Sequence, residues 1–384
     1  MSSAPLDGYR VVDLTSNMAG PFGTQILGDQ GADVIKVEPL VGDITRHTGT
    51  EANGMSAYFA NLNRSKRSVA VDLRRDEGRA VVRDLIATAD VFVHSMRLDA
   101  AARAGLDAET VRRDRPELVH VAIAGFGTHG PLAGLPVYDH VVQALSGMAS
   151  IQAERDGSPR LTRHGLVDKA TGHVLAESVC AALLRRHRTG EGASLSISML
   201  EVALAFLWPD GMMTESVLAP TVGRPAVAGS FRATPTGDGH LVFVAMTDAQ
   251  WAGVAAAVVD MGEPAVEGES RVDLLRRLRT CLRATTTAAA VDLLTRHEVP
   301  CAPVLGLDEV ADHPQVVANG SAPVLDHPVM GPLRQVVPVP SWPGVEVGAL
   351  RPAPSVGEHT REVLTSIGYD PARLDQLTAD GVIG

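Results

Sequence analysis

The strongest constraint on the fold is an alternation of short β-branched runs with helical periodicity through the first two hundred residues. Five runs read as strands: "YRVVDLT" (9–15), "ADVIKVE" (32–38), "RSVAVDL" (67–73), "DVFVHSM" (90–96) and "LVHVAIAGF" (118–126). Helical stretches lie among them: "AGPFGTQILGDQG" (19–31), "DEGRAVVRDLIATA" (76–89) and "AETVRRDR" (108–115). Pro21 is placed to start the first helix and Gly31 to stop it. Strands joined through helices form βαβ units, so an α/β fold with a parallel sheet is expected.

Two longer helical patterns follow, around 138–151 and 168–187, then a strand "ASLSISM" and an apolar helix from Leu200. Proline and glycine mark a linker at 218–230. The organisation expected is therefore residues 1–217 as the N-terminal part of a large domain and the linker at 218–230. A small α+β domain follows over 231–320, then a return segment with closing helices over 321–384. The 384 residues carry 45 acidic and 34 basic side chains, a formal charge of −11. That balance argues against a nucleic-acid or membrane-surface partner. Three separated cysteines, Cys180, Cys281 and Cys301, make neither a disulfide framework nor a CxxC pair. Without a secretory signal or an apolar run of membrane-spanning length, a cytoplasmic protein is expected.

Several residues carry candidate chemistry. Asp168 precedes a helical pattern and reads locally as its N-cap, a carboxylate accepting from the orphan amides of the first turn. His164 and His173 flank it, but their spacing matches one helical face only roughly, so no metal site is expected. "GFGTHG" (125–130) fits GxGxxG, yet two prolines follow where a dinucleotide site needs a helix, leaving a glycine turn lining a ligand site. Arg64, Lys66, Arg67, Arg74, Arg75 and Arg79 cluster between 63 and 79, with Arg97, Arg103, Arg112 and Arg113 beyond. They read either as solvated surface or as phosphate-binding groups. Tyr138 and Asp139 start a helix just after the glycine turn, where a phenol and two carboxylates would share one site with Asp168.

"DLTSNMAGPFGTQILGDQGADVIKVEP", "GD-x-x-R" (42–46), "FANLNRSKRSVAVDLR", "GFGTHGP", "YDHVVQALSGM", "VDKATG", "PCAPV" and "GEHTREVL" occur in that order. Together they resemble the class III CoA-transferases of the formyl-CoA and carnitine type, a family that also includes α-methylacyl-CoA racemases. The resemblance implies an interlocked homodimer whose large Rossmann-like domain takes both chain ends. Coenzyme A is then a substrate and carrier, with no permanently bound cofactor, and the other partners are acyl-CoA and carboxylic acids. It makes Asp168, in "VDKATG", the nucleophile, held ionised by the helix dipole. It carries CoA contacts onto Met18 and Ala19, Val71, Asp72, Leu73 and Arg74, Arg97 and Arg103, and Tyr138 and Asp139. Arg74, Arg97 and Arg103 would meet the phosphates, and backbone N–H groups near Met18 and Ala19 would stabilise oxyanions.

The sequence also departs from the family pattern. Formyl-CoA transferases carry glutamine at the place of Met18 and a glycine run where this chain has "VAGS" (227–230), which argues against a formate–oxalate pairing. Racemases place histidine where this chain has Tyr138, although His140 stands two residues on. The alternatives to CoA transfer are a 2-methylacyl-CoA racemase and a CoA-binding protein without turnover. Arg232 is a candidate for holding a second carboxylate, with an exposed surface arginine as the plainer reading.

Overall fold

A computed structural model describes residues 4–154, 156–219, 231–340, 342 and 351–384. Most of the linker expected at 218–230, with the "VAGS" segment, lies outside the described residues. The chain divides into two units, Met1–Met213 with Pro323–Gly384, and Thr214–Ala322.

The first unit runs β1 (Arg10–Leu14), α1 (Ala19–Asp29), β2 (Asp33–Glu38), a ribbon of β3 (Glu51–Ala52) and β4 (Met55–Ser56), then α2 (Ala57–Asn63). It continues through β5 (Lys66–Ala70), α3 (Asp76–Ala87), β6 (Val91–His94), α4 (Leu98–Ala104), α5 (Ala108–Arg112) and β7 (Val119–Ala124). Then come α6 (Asp139–Leu145), α7 (Met148–Ile151), α8 (Leu166–Thr189), β8 (Ala193–Ser198) and α9 (Met199–Gly211). The second unit holds β9 (Thr234–Pro235), β10 (His240–Phe243), α10 (Asp248–Asp260), α11 (Arg271–Leu282), α12 (Thr287–Arg296), β11 (Cys301–Pro303) and α13 (Pro314–Ala318). The chain returns to the first with β12 (Val324–His327), β13 (Gly331–Arg334), α14 (Thr360–Ser366) and α15 (Pro371–Ala379).

Six strands form a parallel sheet ordered β5-β2-β1-β6-β7-β8. Side chains alternate across it. Val11 faces α1, α8 and α9, while Val12 faces α3, α14 and α15. With both faces covered, the central strands are apolar nearly throughout, as buried parallel strands must be. Strand order reverses between β1 and β6, which opens a crevice at their carboxyl ends. In the second unit, α10, α11 and α12 pack around Leu241, Val254, Leu278 and Leu294 beside the antiparallel order β11-β10-β9.

Three expectations change. The helix expected over 138–151 is broken at Ser146–Gly147, because Gly147 takes φ +90° and ends the α-helical run. The helix expected over 108–115 stops at Arg112. Helices α2 and α4 were not foreseen. Among the described residues no helix is long and apolar enough to cross a membrane.

Candidate active site

A cavity of about 700 Å³ opens where the sheet order reverses. The segments leaving β1, β6 and β7 line it, represented by Met18, Ala19, Arg97, Gly125 and Tyr138, and so does Asp168. Each wall follows from local chemistry. Asn17 takes φ +67°, the left-handed region that asparagine tolerates better than most residues, and turns the chain from β1 into α1. The amides of Ala19 and Gly20 open that helix, where no intrahelical acceptor precedes them. Phe22 N–H, by contrast, already bonds the Met18 carbonyl at 2.9 Å.

A buried ionic cluster fixes this turn from below. Lys36 Nζ donates to the Thr15 carbonyl at 3.0 Å and to Asp43 at 2.9 Å. Lys66 Nζ donates to the Pro21 carbonyl, Asn63 Oδ1 and Asp13 Oδ2 at 2.9, 2.9 and 3.0 Å. Thr15 and Thr24 hydroxyls complete Asp13. Burial would push the Asp13 carboxyl up, but the Lys66 and Lys36 ammonium groups outweigh it and hold Asp13 at about 2. Burial pulls Lys66 down to about 8, against the attraction of Asp13, so both ions of the pair are charged at neutral pH.

Asp168 enters from α8. Gly172 lies one helical turn after it on the same face. A Cβ on Gly172 would stand 2.9 Å from the Ala19 carbonyl and 3.0 Å from the Gly23 nitrogen, and one on Gly23 would stand 2.7 Å from the Gly172 carbonyl. Two glycines therefore let the helices touch backbone to backbone, which brings Asp168 to the cavity that the start of α1 lines. Gly125 works similarly on the opposite wall: its missing Cβ is where Val137 packs, and Tyr138 and Asp139 follow.

The N-cap of α8 is Gly165, and Asp168 is the third helical residue, 7% exposed, with no capping role. The expectation of an Asp168 cap is thus corrected. The residue that does satisfy an orphan amide is Asp139, whose Oδ2 accepts the Asp168 N–H at 2.9 Å. Asp139 Oδ1 accepts from Gln143 Nε2 at 2.5 Å, and Gln143 Oε1 accepts the Thr162 N–H at 2.9 Å. Helix α6 therefore holds the segment entering α8 at two points. Burial, with the adjacent Asp139 carboxylate adding to it and Lys169 partly opposing, pushes Asp168 up to about 6. These two effects work against the helix start expected to hold Asp168 ionised, and they confine the ionised carboxylate to pH above about 6.

The other candidates separate. Met18, Ala19, Arg97 and Tyr138 line the cavity with Asp168. The Arg97 carbonyl accepts the Ala101 N–H at 2.9 Å, while its guanidinium makes no hydrogen bond or ion pair among the described residues. Arg103 pairs with Asp99 at 2.7 Å on exposed α4, and Arg74 pairs with Asp72 at 2.8 Å. Val71 is buried in the core and Leu73 packs against it. None of Val71, Asp72, Leu73 and Arg74 lines this cavity. The basic cluster is largely spoken for: Arg64 pairs with Asp29, Arg67 with Asp33, Lys66 with Asp13 and Arg79 with Asp76. Arg75 bonds the Asp380 carbonyl. Tyr138 is 56% exposed and stacks on exposed His140 with ring centroids 6.3 Å apart. Arg232 is exposed in the second unit.

Tyr58 was missed. Burial and the charges of Asp168, Asp139 and Asp43 push its phenol up to about 12, so it stays protonated near the carboxylate pair. It lies more than a hundred residues from Asp168 in sequence, and no local pattern connects them.

The family model for CoA-transferase family III matches residues 6–360. A succinate–glutarate CoA-transferase of Agrobacterium fabrum is 34% identical over 94% of this chain and 96% of its own. A succinyl-CoA:glutarate CoA-transferase of Mus musculus is 31% identical over 100% of this chain and 91% of its own. The crystal structure of Rv3272 from M. tuberculosis superposes with a TM-score of 0.81 at 29% identity, over 94% of this chain and 100% of that one. On the agreement of family model, relatives and fold, the chain belongs to CoA-transferase family III.

Proposed function

We propose that the protein moves CoA from an acyl-CoA donor to a carboxylic acid through covalent intermediates on Asp168. The observation that carries this is one carboxylate, buried yet lining the reversal-point cavity, beside the uncommitted amides that open α1. Asp168 attacks the thioester carbonyl, CoA thiolate leaves, and an aspartyl–acyl anhydride forms. The thiolate then attacks the aspartyl carbonyl, freeing the donor acid and leaving an aspartyl–CoA thioester. An acceptor carboxylate attacks that thioester and again expels thiolate, which takes the acyl group from Asp168 and restores the carboxylate. No proton is gained or lost in the cycle, so no base beyond ionised Asp168 is needed.

Each addition passes through an oxyanion, and the Ala19 and Gly20 N–H groups are the donors for it. Arg97 takes a CoA phosphate, and the homodimer implied by the family pattern belongs to the same reading. The names of the relatives make short dicarboxylic acids the first substrates to try. Racemisation would need a second exchangeable group beside Asp168; no histidine is among the residues lining the cavity, and Tyr138, which is among them, offers a phenol, a type of group that exchanges its proton poorly near neutral pH.

The test is peptide mass spectrometry after mixing the protein with succinyl-CoA and quenching with borohydride. Hydride reduces an aspartyl thioester to an alcohol, so the peptide containing Asp168 should lose one oxygen and gain two hydrogens. Bound CoA with an unmodified Asp168 across a panel of acyl-CoAs would overturn the proposal.

A further inference from the structure

Asp139 is a buried carboxylate without a cation. Among the described residues no ammonium, guanidinium or imidazole lies within ion-pair distance of it, and it is not among the residues lining the cavity. Its hydrogen-bond partners are N–H groups alone. Oδ2 accepts from the Asp168 backbone at 2.9 Å, and Oδ1 accepts from Gln143 Nε2 at 2.5 Å. The orientation of Gln143 is fixed from its other side. The Thr162 N–H, 2.9 Å away, can only donate, so the atom facing it is Oε1 and the atom facing Asp139 is the amide nitrogen. Both Asp139 oxygens are therefore held as acceptors, the arrangement of a carboxylate rather than an acid.

A buried charge beside a second one is costly, and here the cost bears on Asp168. Burial and Asp139 push Asp168 up, and Lys169 only partly opposes them. The other groups near the pair supply no free positive charge: Tyr58 keeps its phenol proton, and Asp43 is taken by Lys36. The repulsion acts only while Asp168 is an anion, and acylation removes that charge as protonation does. In the half-reaction, the Asp168 carboxylate takes CoA from the donor as a thioester, and the donor leaves as a carboxylate. No proton moves, and one negative charge passes from beside Asp139 to the released acid. We infer that Asp139, locked as an acceptor by Gln143, is a positioning residue whose fixed charge drives CoA onto Asp168. This rests on the transferase reading and deepens it, since the charge sets how far the covalent step runs.

Two measurements on the full-length protein test the assignment. Carbon-13 NMR of aspartate-labelled protein, with Asp168→Asn to assign the signal, reads the Asp168 titration midpoint whether or not the protein turns over. Borohydride reduction in a fixed mixture of succinyl-CoA and succinate at pH 7.5 reads the ratio of thioester to free Asp168. Asp139→Asn should lower the midpoint by about one pH unit and the thioester ratio by roughly tenfold, because the two are the same free energy. Asp139→Glu, which keeps the charge, should hold both near their natural values. Gln143→Met, which removes only the lock, should move both in the same sense and the same proportion, and it carries the test if Asp139→Asn does not fold. A thioester ratio that falls while the midpoint stays, or that ignores both substitutions, would overturn the inference. A midpoint that falls in Asp139→Asn, without hydride-reduced Asp168 in the natural protein, would overturn the transferase reading and leave Asp139 as the charge that sets Asp168. Reduced Asp168 with a midpoint indifferent to Asp139 would do the reverse.

Discussion

A nucleophile that must act as an anion, but is pushed up to about 6, works over only part of the pH range. The start of a helix favours a nearby negative charge by about 0.3–1 kcal/mol, up to ~2 in a favourable site. Raising a carboxyl from 3.8 to about 6 corresponds to roughly 3 kcal/mol in the opposite sense. Burial and Asp139 therefore win. As the cycle needs ionised Asp168, kcat/KM should rise with pH through about 6 and level off above it; a flat profile from pH 5 to 8 would exclude Asp168 as the titrating nucleophile. The same shift has a stability sign. A carboxyl whose folded value is raised favours the folded state below its unfolded value, and that advantage is lost as pH rises through the folded one. Asp168→Asn should therefore stabilise the protein at pH 7.5, by up to about 3 kcal/mol, and leave it nearly unchanged at pH 4. Thermal melts at the two pH values read the difference, and equal effects would place the cause elsewhere. The charge cluster shows where sequence falls short at this scale. Arg64, Arg67 and Lys66 look free because Asp29, Asp33 and Asp13 lie 34 to 53 residues earlier in the chain, brought near by the parallel order β5-β2-β1, in which β5 pairs with β2 and β2 with β1.

At the scale of elements, the site depends on how closely α1 and α8 cross. Gly172→Ala adds a Cβ where the Ala19 carbonyl and the Gly23 nitrogen already stand within 3.0 Å. Neither is a flexible side-chain end, so the helices must part. Overpacking of this kind costs about 1–3 kcal/mol. The same displacement would carry Asp168 from the α1 amides, so the hydride-reduced yield should fall by more than tenfold, the scale on which small misplacements act. Urea unfolding gives the first quantity and mass spectrometry the second; a destabilised protein with full adduct yield would uncouple the crossing from the chemistry. Much at this scale was legible. The β-branched runs became β1, β2, β5, β6 and β7, because a strand covered on both faces must be apolar along its length. The Pro21 signal gave α1, and the closing helices appeared as α14 and α15. What was not legible depended on contacts outside the local window. Helix α2 starts on a Ser56 cap, its hydroxyl accepting the Tyr58 and Phe59 amides. That serine is set in turn by β4 and by its bond to the Thr48 carbonyl. Asp168 looks like a cap in the sequence because Asp139, which accepts its amide, belongs to another helix.

For the molecule as a whole, the first unit cannot close without the end of its own chain. The outer edge of β5 is an open row of backbone groups, and bare edges invite pairing with other chains. Here the returning segment covers it. Ser65 N–H bonds the Arg351 carbonyl, His359 N–H the Ser68 carbonyl, and Gly384 N–H the Ala70 carbonyl, at 2.9, 3.0 and 3.1 Å. Arg46, buried and paired with Glu38 at 2.6 Å, also donates to the Pro354 carbonyl at 3.0 Å. Val363, Leu364, Leu374, Leu377, Val382 and Ile383 are buried in the same cluster as Val12, Ile35 and Phe92. Burying such side chains contributes about 1.5–3 kcal/mol each. Six of them together match or exceed the roughly 5–15 kcal/mol by which a domain is stable. Removing residues 356–384 should therefore leave a chain with no cooperative thermal transition and with rapid proteolysis throughout the first unit, although Asp168 and every residue lining the cavity remain in it. Near-ultraviolet circular dichroism and limited proteolysis of the truncated and full-length proteins make the comparison. A truncated protein that still melts cooperatively and still gives hydride-reduced Asp168 would mean that the sheet and its site stand without the returning helices, and that those helices serve only to cover the β5 edge.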